Sequence, residues 1–123
     1  MQKRILGKNH LEVSSIGLGC WGMSHAYGRA DEKESLATIN HCLDHGINFL
    51  DTADIYGHGH NESLIAKILK KRRHEAVVAT KFGFVGDEKG NLKVNGRPKY
   101  VQKACEKSLM RLNIDEIDLY YFH

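Results

Sequence analysis

Four polar side chains of different chemistry stand out in this sequence: Asp51, Tyr56, Lys81 and His123. A tyrosine hydroxyl is a weak acid, and a nearby lysine ammonium favours its phenolate form. An aspartate beside the lysine would keep the ammonium charged and in place, and a histidine could hydrogen-bond an oxygen of a substrate. Together the four groups could deliver a proton to a carbonyl oxygen while the carbonyl carbon accepts a hydride.

Each of the four residues also has a simpler interpretation. Asp51 could be a helix cap or a loop anchor, Tyr56 a surface ring and His123 a surface residue. Asp51 and Lys81 could form a plain structural ion pair, although a lysine in an apolar strand is rarely buried without a partner. The catalytic hypothesis therefore depends on whether the chain brings all four residues to one place.

Short apolar runs in the sequence are typical of buried strands. A hairpin over residues 4–13 comes first, turning at residues 7–10, where glycine and asparagine favour a tight turn. The runs that follow predict four strands, at residues 15–19, 47–50, 76–81 and 117–122.

Three amphipathic helices are predicted between these strands. Asp31 caps the first helix, and Glu34 follows at capping-box spacing. The second helix opens near Asn61, and the third begins at Pro98, a residue favoured at the first helical position. Residues 83–96 contain four glycines and are predicted to form a loop.

Strands that alternate with helices predict an α/β fold with a parallel sheet and right-handed crossovers. Two architectures stay open: a doubly wound sheet with helices on both faces, and part of a (β/α)8 barrel with helices on one face. Asp51, Lys81 and His123 end successive predicted strands, and Tyr56 follows Asp51 by five residues. We therefore expect all four at the C-terminal edge of the sheet, where barrel enzymes assemble their active sites.

Residues 17–22 spell G-x-G-x-x-G, the pattern of dinucleotide-binding loops. That mechanism requires the glycines to open a helix directly, whereas the helix cap at Asp31 lies nine residues beyond Gly22. Asp51 lies 29 residues beyond Gly22, where about 20 would suit an acid that binds the ribose. A Rossmann interpretation is therefore disfavoured.

Composition excludes several classes of protein. The chain has 123 residues, 41% of them hydrophobic and 27% charged, which excludes disorder and fits one small domain. Its net charge of +3 is too small to argue nucleic-acid binding, and no apolar run is long enough for a transmembrane helix, so no membrane association is predicted. Three cysteines without a close pair predict reduced thiols in a cytoplasmic protein. His58 and His60 lack an obvious third ligand, so no metal site is predicted.

Several segments resemble the aldo-keto reductase family. Residues 46–57, Gly-Ile-Asn-Phe-Leu-Asp-Thr-Ala-Asp-Ile-Tyr-Gly, look like its first signature, and residues 78–81 look like its lysine strand. Residues 108–112 and 115–120 are similar to the helix and strand that precede its histidine. Residues 95–101 suggest the bacterial and plant branch that reduces aldehydes and small carbonyl compounds. The resemblance covers essentially the whole chain.

The resemblance implies a (β/α)8, or TIM, barrel closed at the bottom by the N-terminal hairpin, and NADPH-dependent reduction of aldehydes or ketones. Tyr56 would donate the proton, Lys81 would assist it with support from Asp51, and His123 would orient the carbonyl of a small-molecule substrate. The residues that the resemblance implies for cofactor binding are Gly22, Met23 and Asp51.

The length of the chain departs from the family pattern, because a barrel of this type needs about 250 residues. We therefore expect residues 1–123 to be a partial reductase domain truncated at the fourth strand, with most of the NADPH cradle outside it. The chain alone is expected to bind NADPH weakly and to need the C-terminal half for turnover. Its exposed sheet edges could mediate association. The alternative is a non-catalytic, reductase-like binding or regulatory module, or an inactive truncated gene product.

Overall fold

The computed structural model of the chain describes residues 1–87 and 89–123, which form eight strands and three α-helices. The elements are, in chain order, β1 (Lys3–Leu6), β2 (Leu11–Ser14), β3 (Leu18–Gly19), α1 (Glu32–Asp44), β4 (Phe49–Asp51), α2 (His60–Arg72), β5 (Val77–Phe82), β6 (Phe84–Gly86), β7 (Leu92–Val94), α3 (Pro98–Leu112) and β8 (Leu119–Phe122). Among the described residues, no helix is both long and apolar enough to span a bilayer.

The central sheet is parallel and has the strand order β3-β4-β5-β8. This is the sequential order that βαβ units joined by helical crossovers produce. Asp51 lies between Gly19 and Ala79 in register, and Lys81 pairs with Tyr121. The ends of β4, β5 and β8 therefore meet at one edge of the sheet.

All three helices contribute to one hydrophobic core. Leu50 of β4 and Val78 of β5 are fully buried there with Ile39 of α1, Ile65 of α2 and Leu112 of α3. The helices therefore cover the same sheet face. This arrangement confirms the barrel-type prediction and shows that the doubly wound alternative was wrong.

The side chains of Asp51 and Lys81 lie on the sheet face that the helices do not cover. Successive side chains in a strand point to opposite faces, so Asp51 and Lys81 lie opposite to Leu50 and Thr80. In a barrel the face away from the helices is the interior. The residues predicted to carry chemistry therefore project toward the barrel axis.

The N-terminus of α1 has the cap that the sequence predicts. The Asp31 carboxylate accepts a hydrogen bond from the backbone N–H of Glu34 at 2.8 Å, and α1 begins at the next residue, Glu32. The helix ends at Asp44, and Gly46 follows in the left-handed region with φ of +76°. Such a residue ends a helix at little conformational cost.

Substituting Asp31 with alanine is expected to lower the free energy of unfolding by about 1 kcal/mol, because a helix N–H would lose its acceptor. Chemical denaturation monitored by circular dichroism measures the change. Asp115→Ala, which removes an exposed carboxylate outside the helices, is the control and should change stability by less than about 0.5 kcal/mol. Equal effects of the two substitutions would contradict a capping role.

Residues 83–96 differ from the prediction of a loop. They contain the antiparallel pair β6 and β7, in which Phe84 lies opposite Val94. Gly83, with φ of +130°, precedes this hairpin, and a Cβ there would lie 2.9 Å from the Phe122 ring. The glycines therefore serve close packing and turns, and the strands are too short for their alternation to be evident in the sequence.

The G-x-G-x-x-G segment does not open an α-helix. Its end lies in a single 3₁₀ turn, Trp21–Ser24, and α1 begins only at Glu32. This geometry agrees with the expectation that the segment is not a dinucleotide-binding loop. The predicted strand over residues 15–19 is reduced to the two residues of β3.

Candidate active site

The C-terminal edge of the parallel sheet holds the four residues singled out from the sequence. Asp51 is the last residue of β4, Lys81 lies one residue before the end of β5, and His123 follows β8 directly. Tyr56 starts the short 3₁₀ turn after β4. Three separate βα units therefore contribute to one cluster.

The Lys81 ammonium is the centre of this cluster. It donates to Asp51 Oδ1 at 2.5 Å, to the Thr52 carbonyl at 2.9 Å and to the Tyr56 hydroxyl at 3.3 Å. An ammonium has three protons, so these three acceptors use its full donor capacity. Its side chain is only 14% exposed. Lys81 is thus a fixed positive charge next to the Tyr56 oxygen.

His123 also belongs to this cluster and lies next to Tyr56. The two rings meet edge to face with centroids 5.9 Å apart. The backbone N–H of His123 donates to the Phe82 carbonyl at 2.7 Å, which fixes the residue beside β5. Burial, and then the positive charge of Lys81, lower the pKa of the His123 imidazole. The neutral imidazole is therefore favoured near neutral pH.

A pocket of about 280 Å³ opens directly onto Tyr56 and His123. Its other walls are Trp21, Ile55, Phe84 and Leu92. Trp21 stacks on the Tyr56 ring with a centroid distance of 5.7 Å. The pocket is therefore mostly apolar, with a phenol and an imidazole at one end, which is the composition expected of a small-molecule site.

The first turn of α2 holds the strand ends in place through Asn61, which is fully buried. Its side chain accepts from the Thr52 hydroxyl at 2.7 Å and donates to the Cys20 carbonyl at 2.8 Å. Thr52 directly follows Asp51. This amide therefore joins the end of β4 to the segment after β3.

Glu62, the next residue of α2, is also fully buried. Its carboxylate accepts from the Thr80 hydroxyl at 2.6 Å and from Arg111 Nε at 2.6 Å. Thr80 precedes Lys81, and Arg111 lies in the last turn of α3. Glu62 thus connects α2 to the strand that carries the lysine and to the next helix.

Asp54 lies between the cluster around Lys81 and this network, and its backbone N–H donates to the Lys81 carbonyl at 3.1 Å. Burial, and then the negative charge of Glu62, raise the pKa of the Asp54 carboxyl to about 6, while Arg111 opposes the shift. Tyr100 of α3 and Tyr120 of β8 also face this group. One Asp54 oxygen is buried and has no hydrogen-bond partner among the described residues.

Asp54→Asn is expected to raise the free energy of unfolding at pH 7.5 by about 1–2 kcal/mol. The Asp54 carboxyl has a higher pKa in the folded chain than in the unfolded chain. The natural chain therefore loses stability as the pH rises from about 4 to above 6. Asparagine does not titrate, so the variant does not lose this stability. Denaturation curves at pH 4 and 7.5 measure the difference, which should vanish at the lower pH. Asp115→Asn is the matched control. A gain independent of pH would contradict this account.

Two residues predicted to contact a cofactor lie apart from the pocket. Gly22 and Met23 line a separate shallow groove with Arg29 and Asp31. The Met23 side chain is partly buried and packs against the hydrophobic core. Of the predicted cofactor residues, Asp51 alone belongs to the cluster around Lys81.

The described residues contain no group of three or more histidine, cysteine or acidic side chains placed to hold a metal ion. His60 Nδ1 is 2.8 Å from the Ser24 hydroxyl, within hydrogen-bonding distance. The three cysteines are free, with Cys20 buried.

The sequence did not indicate three walls of the pocket. Trp21 lies within the G-x-G-x-x-G segment, residues 17–22, and Phe84 and Leu92 lie in residues 83–96, which were predicted to form a loop. The one available signal was that this stretch carries apolar residues on both sides of a Gly-Asn turn, which is typical of a hairpin.

The sequence of the chain is similar to that of known aldo-keto reductases. The family model described as "Aldo/keto reductase family" matches residues 15–123. An aldo-keto reductase of Schizosaccharomyces pombe whose name carries NADP(+) is 45% identical over 114 residues, which are 90% of this chain and 34% of that protein.

Solved structures give the same result for the fold. An aldo-keto reductase from Bacillus halodurans in its holo form is 39% identical, with a TM-score of 0.87, and the match covers 100% of this chain and 40% of that one. An aldo-keto reductase from Klebsiella pneumoniae in complex with NADPH is 27% identical, with a TM-score of 0.76, over 100% of this chain and 40% of that one. The chain thus spans about a third of the length of the curated relatives that it matches.

Proposed function

Because the chain belongs to the aldo/keto reductase family, we propose that the protein reduces aldehydes and ketones to alcohols, with NADPH as its cofactor. Residues 1–123 form part of the reductase domain in this proposal. The single observation that carries it is the triple hydrogen bonding of the Lys81 ammonium to Asp51, Thr52 and the Tyr56 hydroxyl.

Tyr56 is the proposed proton donor. Its oxygen accepts a hydrogen bond from Lys81 at 3.3 Å, so its own proton is left to be donated to a carbonyl oxygen. After the transfer, the phenolate remains beside the Lys81 ammonium, which stabilises the new negative charge. Asp51 and the Thr52 carbonyl keep the ammonium from turning away.

His123 is the proposed orienting group. A neutral imidazole can donate one hydrogen bond to the carbonyl oxygen. Because the backbone of His123 is bound to Phe82 and its ring rests against Tyr56 and Phe84, little reorganisation is needed on binding. The carbonyl oxygen would then lie between the phenol and the imidazole.

The walls of the pocket favour a particular class of substrate. Trp21, Phe84 and Leu92 offer aromatic and aliphatic surface, and the volume of about 280 Å³ suits a small molecule. Apolar burial then contributes to affinity in rough proportion to the area covered. Aromatic or short aliphatic aldehydes are therefore the preferred substrates in this proposal.

Asp51 offers a suitable acceptor for a sugar hydroxyl of the cofactor. One of its oxygens binds Lys81, the other has no hydrogen-bond partner among the described residues, and the side chain is 33% exposed. NADPH supplies, when bound, the hydride that the carbonyl carbon accepts. Gly22 and Met23 stay proposed contacts on the basis of the family resemblance, through their backbone.

The decisive experiment is an assay of the natural protein with NADPH and an aromatic aldehyde such as benzaldehyde. We expect a steady, aldehyde-dependent loss of reduced-nicotinamide absorbance and formation of the alcohol, identified by chromatography. Omitting the aldehyde is the control. A folded protein that binds NADPH but forms no alcohol from aromatic or aliphatic aldehydes would refute the proposal.

A further inference from the structure

A second cavity, of about 320 Å³, lies between α3 and the segments that follow β4 and β5. It is distinct from the pocket at Tyr56 and His123, but Ile55 and Phe84 line both. Its polar walls are Asp54, His58, Tyr100, Lys103, Lys107 and Arg111. The residues around it come from two neighbouring βα units in the middle of the sheet.

Four cations follow one another along α3 at intervals of four residues: Lys99, Lys103, Lys107 and Arg111. Side chains four apart lie on one helix face, and like charges at this spacing destabilise the helix. Arg111 is paired with Glu62, whereas the three lysines have no ion-pair partner among the residues that the structure describes. Helix stability therefore does not explain this basic stripe.

The basic stripe also begins at an unfavourable position in α3. Lys99 lies in the first turn of α3, which has no acidic residue, and the positive end of the helix dipole disfavours cations there. Lys70 and Lys71, by contrast, lie in the last turn of α2, where the dipole favours them. An anion bound at the cavity would offset the repulsion among the α3 lysines.

At the floor of the cavity, Asp54 and Tyr100 favour a hydroxyl group on the ligand. Asp54 lines the cavity and is only partly buried, and a carboxyl in this position can accept a hydrogen bond from a ligand hydroxyl. Tyr100 is half-buried at the same wall and can donate or accept. A ligand with both an anionic end and hydroxyl groups would satisfy the lysines and Asp54 together.

We propose that this cavity binds a small phosphorylated molecule that carries hydroxyl groups, with its phosphate at Lys103 and Lys107 and a hydroxyl at Asp54. Lysine is a common phosphate ligand, and the cavity volume accommodates a sugar phosphate. The site is separate from the catalytic pocket, and its occupation does not depend on the proposed reductase activity.

Calorimetric titration of the natural protein with glucose 6-phosphate, inorganic phosphate and glucose tests the proposal. We expect saturable one-to-one binding of glucose 6-phosphate, at least about tenfold weaker binding of inorganic phosphate, and none of glucose below about 10 mM. Equal affinity for the two phosphates would leave only an adventitious anion contact and would overturn the proposal. No saturable binding of glucose 6-phosphate would overturn it as well.

Matched variants locate the site. Reversing both cavity lysines, Lys103→Glu with Lys107→Glu, should weaken binding of glucose 6-phosphate at least about tenfold. Lys70→Glu with Lys71→Glu makes the same change of charge at exposed positions on α2 and should alter affinity less than about twofold. Asp54→Ala should bring the affinity for glucose 6-phosphate down to that for inorganic phosphate. Equal losses in the two double variants would show attraction by net charge only and would refute the site.

Discussion

Tyr56→Phe is expected to lower kcat for carbonyl reduction by about a hundredfold to ten-thousandfold, the usual contribution of a positioned general acid. The substitution keeps the ring that stacks on Trp21 and meets His123, and it removes only the hydroxyl that Lys81 contacts. Because the pocket walls are unchanged, KM for an aromatic aldehyde should change much less than kcat. Initial rates over a range of aldehyde concentrations separate the two constants.

Tyr27→Phe is the matched control for this experiment. Tyr27 packs edge-on against Trp21, and it is 79% exposed. Losing its hydroxyl should leave kcat within about twofold, since surface positions rarely influence a buried site. If the Tyr56→Phe protein kept full activity, another group would have to donate the proton, and the role assigned to Tyr56 would be wrong.

Arg111→Ala is expected to destabilise the fold by about 3–5 kcal/mol, because it removes one member of a buried ion pair. Glu62 is 0% exposed, so its carboxylate would stay in the interior with only the Thr80 hydroxyl as a partner. Arg111 itself is 27% exposed and can turn toward water, so the larger cost follows from the loss of the arginine. Equilibrium unfolding in urea measures the change.

Two further variants separate the cost of leaving the Glu62 carboxylate unpaired from the cost of losing the packing of the Arg111 side chain. Glu62→Gln combined with Arg111→Ala removes the unpaired charge at position 62 and should recover at least about 1 kcal/mol relative to Arg111→Ala alone. Lys67→Ala breaks the ion pair with Glu32, whose side chains are about half exposed, and should cost less than about 1 kcal/mol. A double variant as unstable as the single one would mean that packing, and not charge, determines the loss.

The location of the cluster around Lys81 was predictable because parallel strands place their C-terminal ends together. Once the apolar runs were recognised as strands, Asp51, Lys81 and His123 had to meet at one edge, and the structure brings them there with Tyr56. The cap at Asp31 and the start of α3 at Pro98 were predictable for local reasons, since each depends on neighbours within a few residues. The roles of the four residues followed from their chemistry, agree with the roles that the family resemblance implies, and stay proposals.

Two kinds of feature escaped prediction: polar side chains buried by tertiary contacts, and strands too short to show a pattern. Asn61 and Glu62 are polar residues at a helix start, a pattern typical of solvent exposure, yet both are fully buried because Thr52, Thr80 and Arg111 satisfy them. The hairpin of β6 and β7 has strands of three residues, too short for alternation to be read. Cofactor contact by Gly22 and Met23 stays a prediction, because it depends on a ligand and not on the fold of these residues alone.

The contacts of Lys81 join residues that are far apart along the chain: 30 positions separate it from Asp51 and 25 from Tyr56. No local segment can form such a cluster. Helix α2 lies between Lys81 and both of these partners, so the chain must close a long loop before either contact can form. Chains dominated by non-local parallel pairing fold slowly for this reason. During refolding, secondary structure should therefore return before catalysis does. Because residues 1–123 form only part of the proposed reductase domain, activity should return only after β4, β5 and β8 have paired, and the delay would show that this pairing is not enough for catalysis.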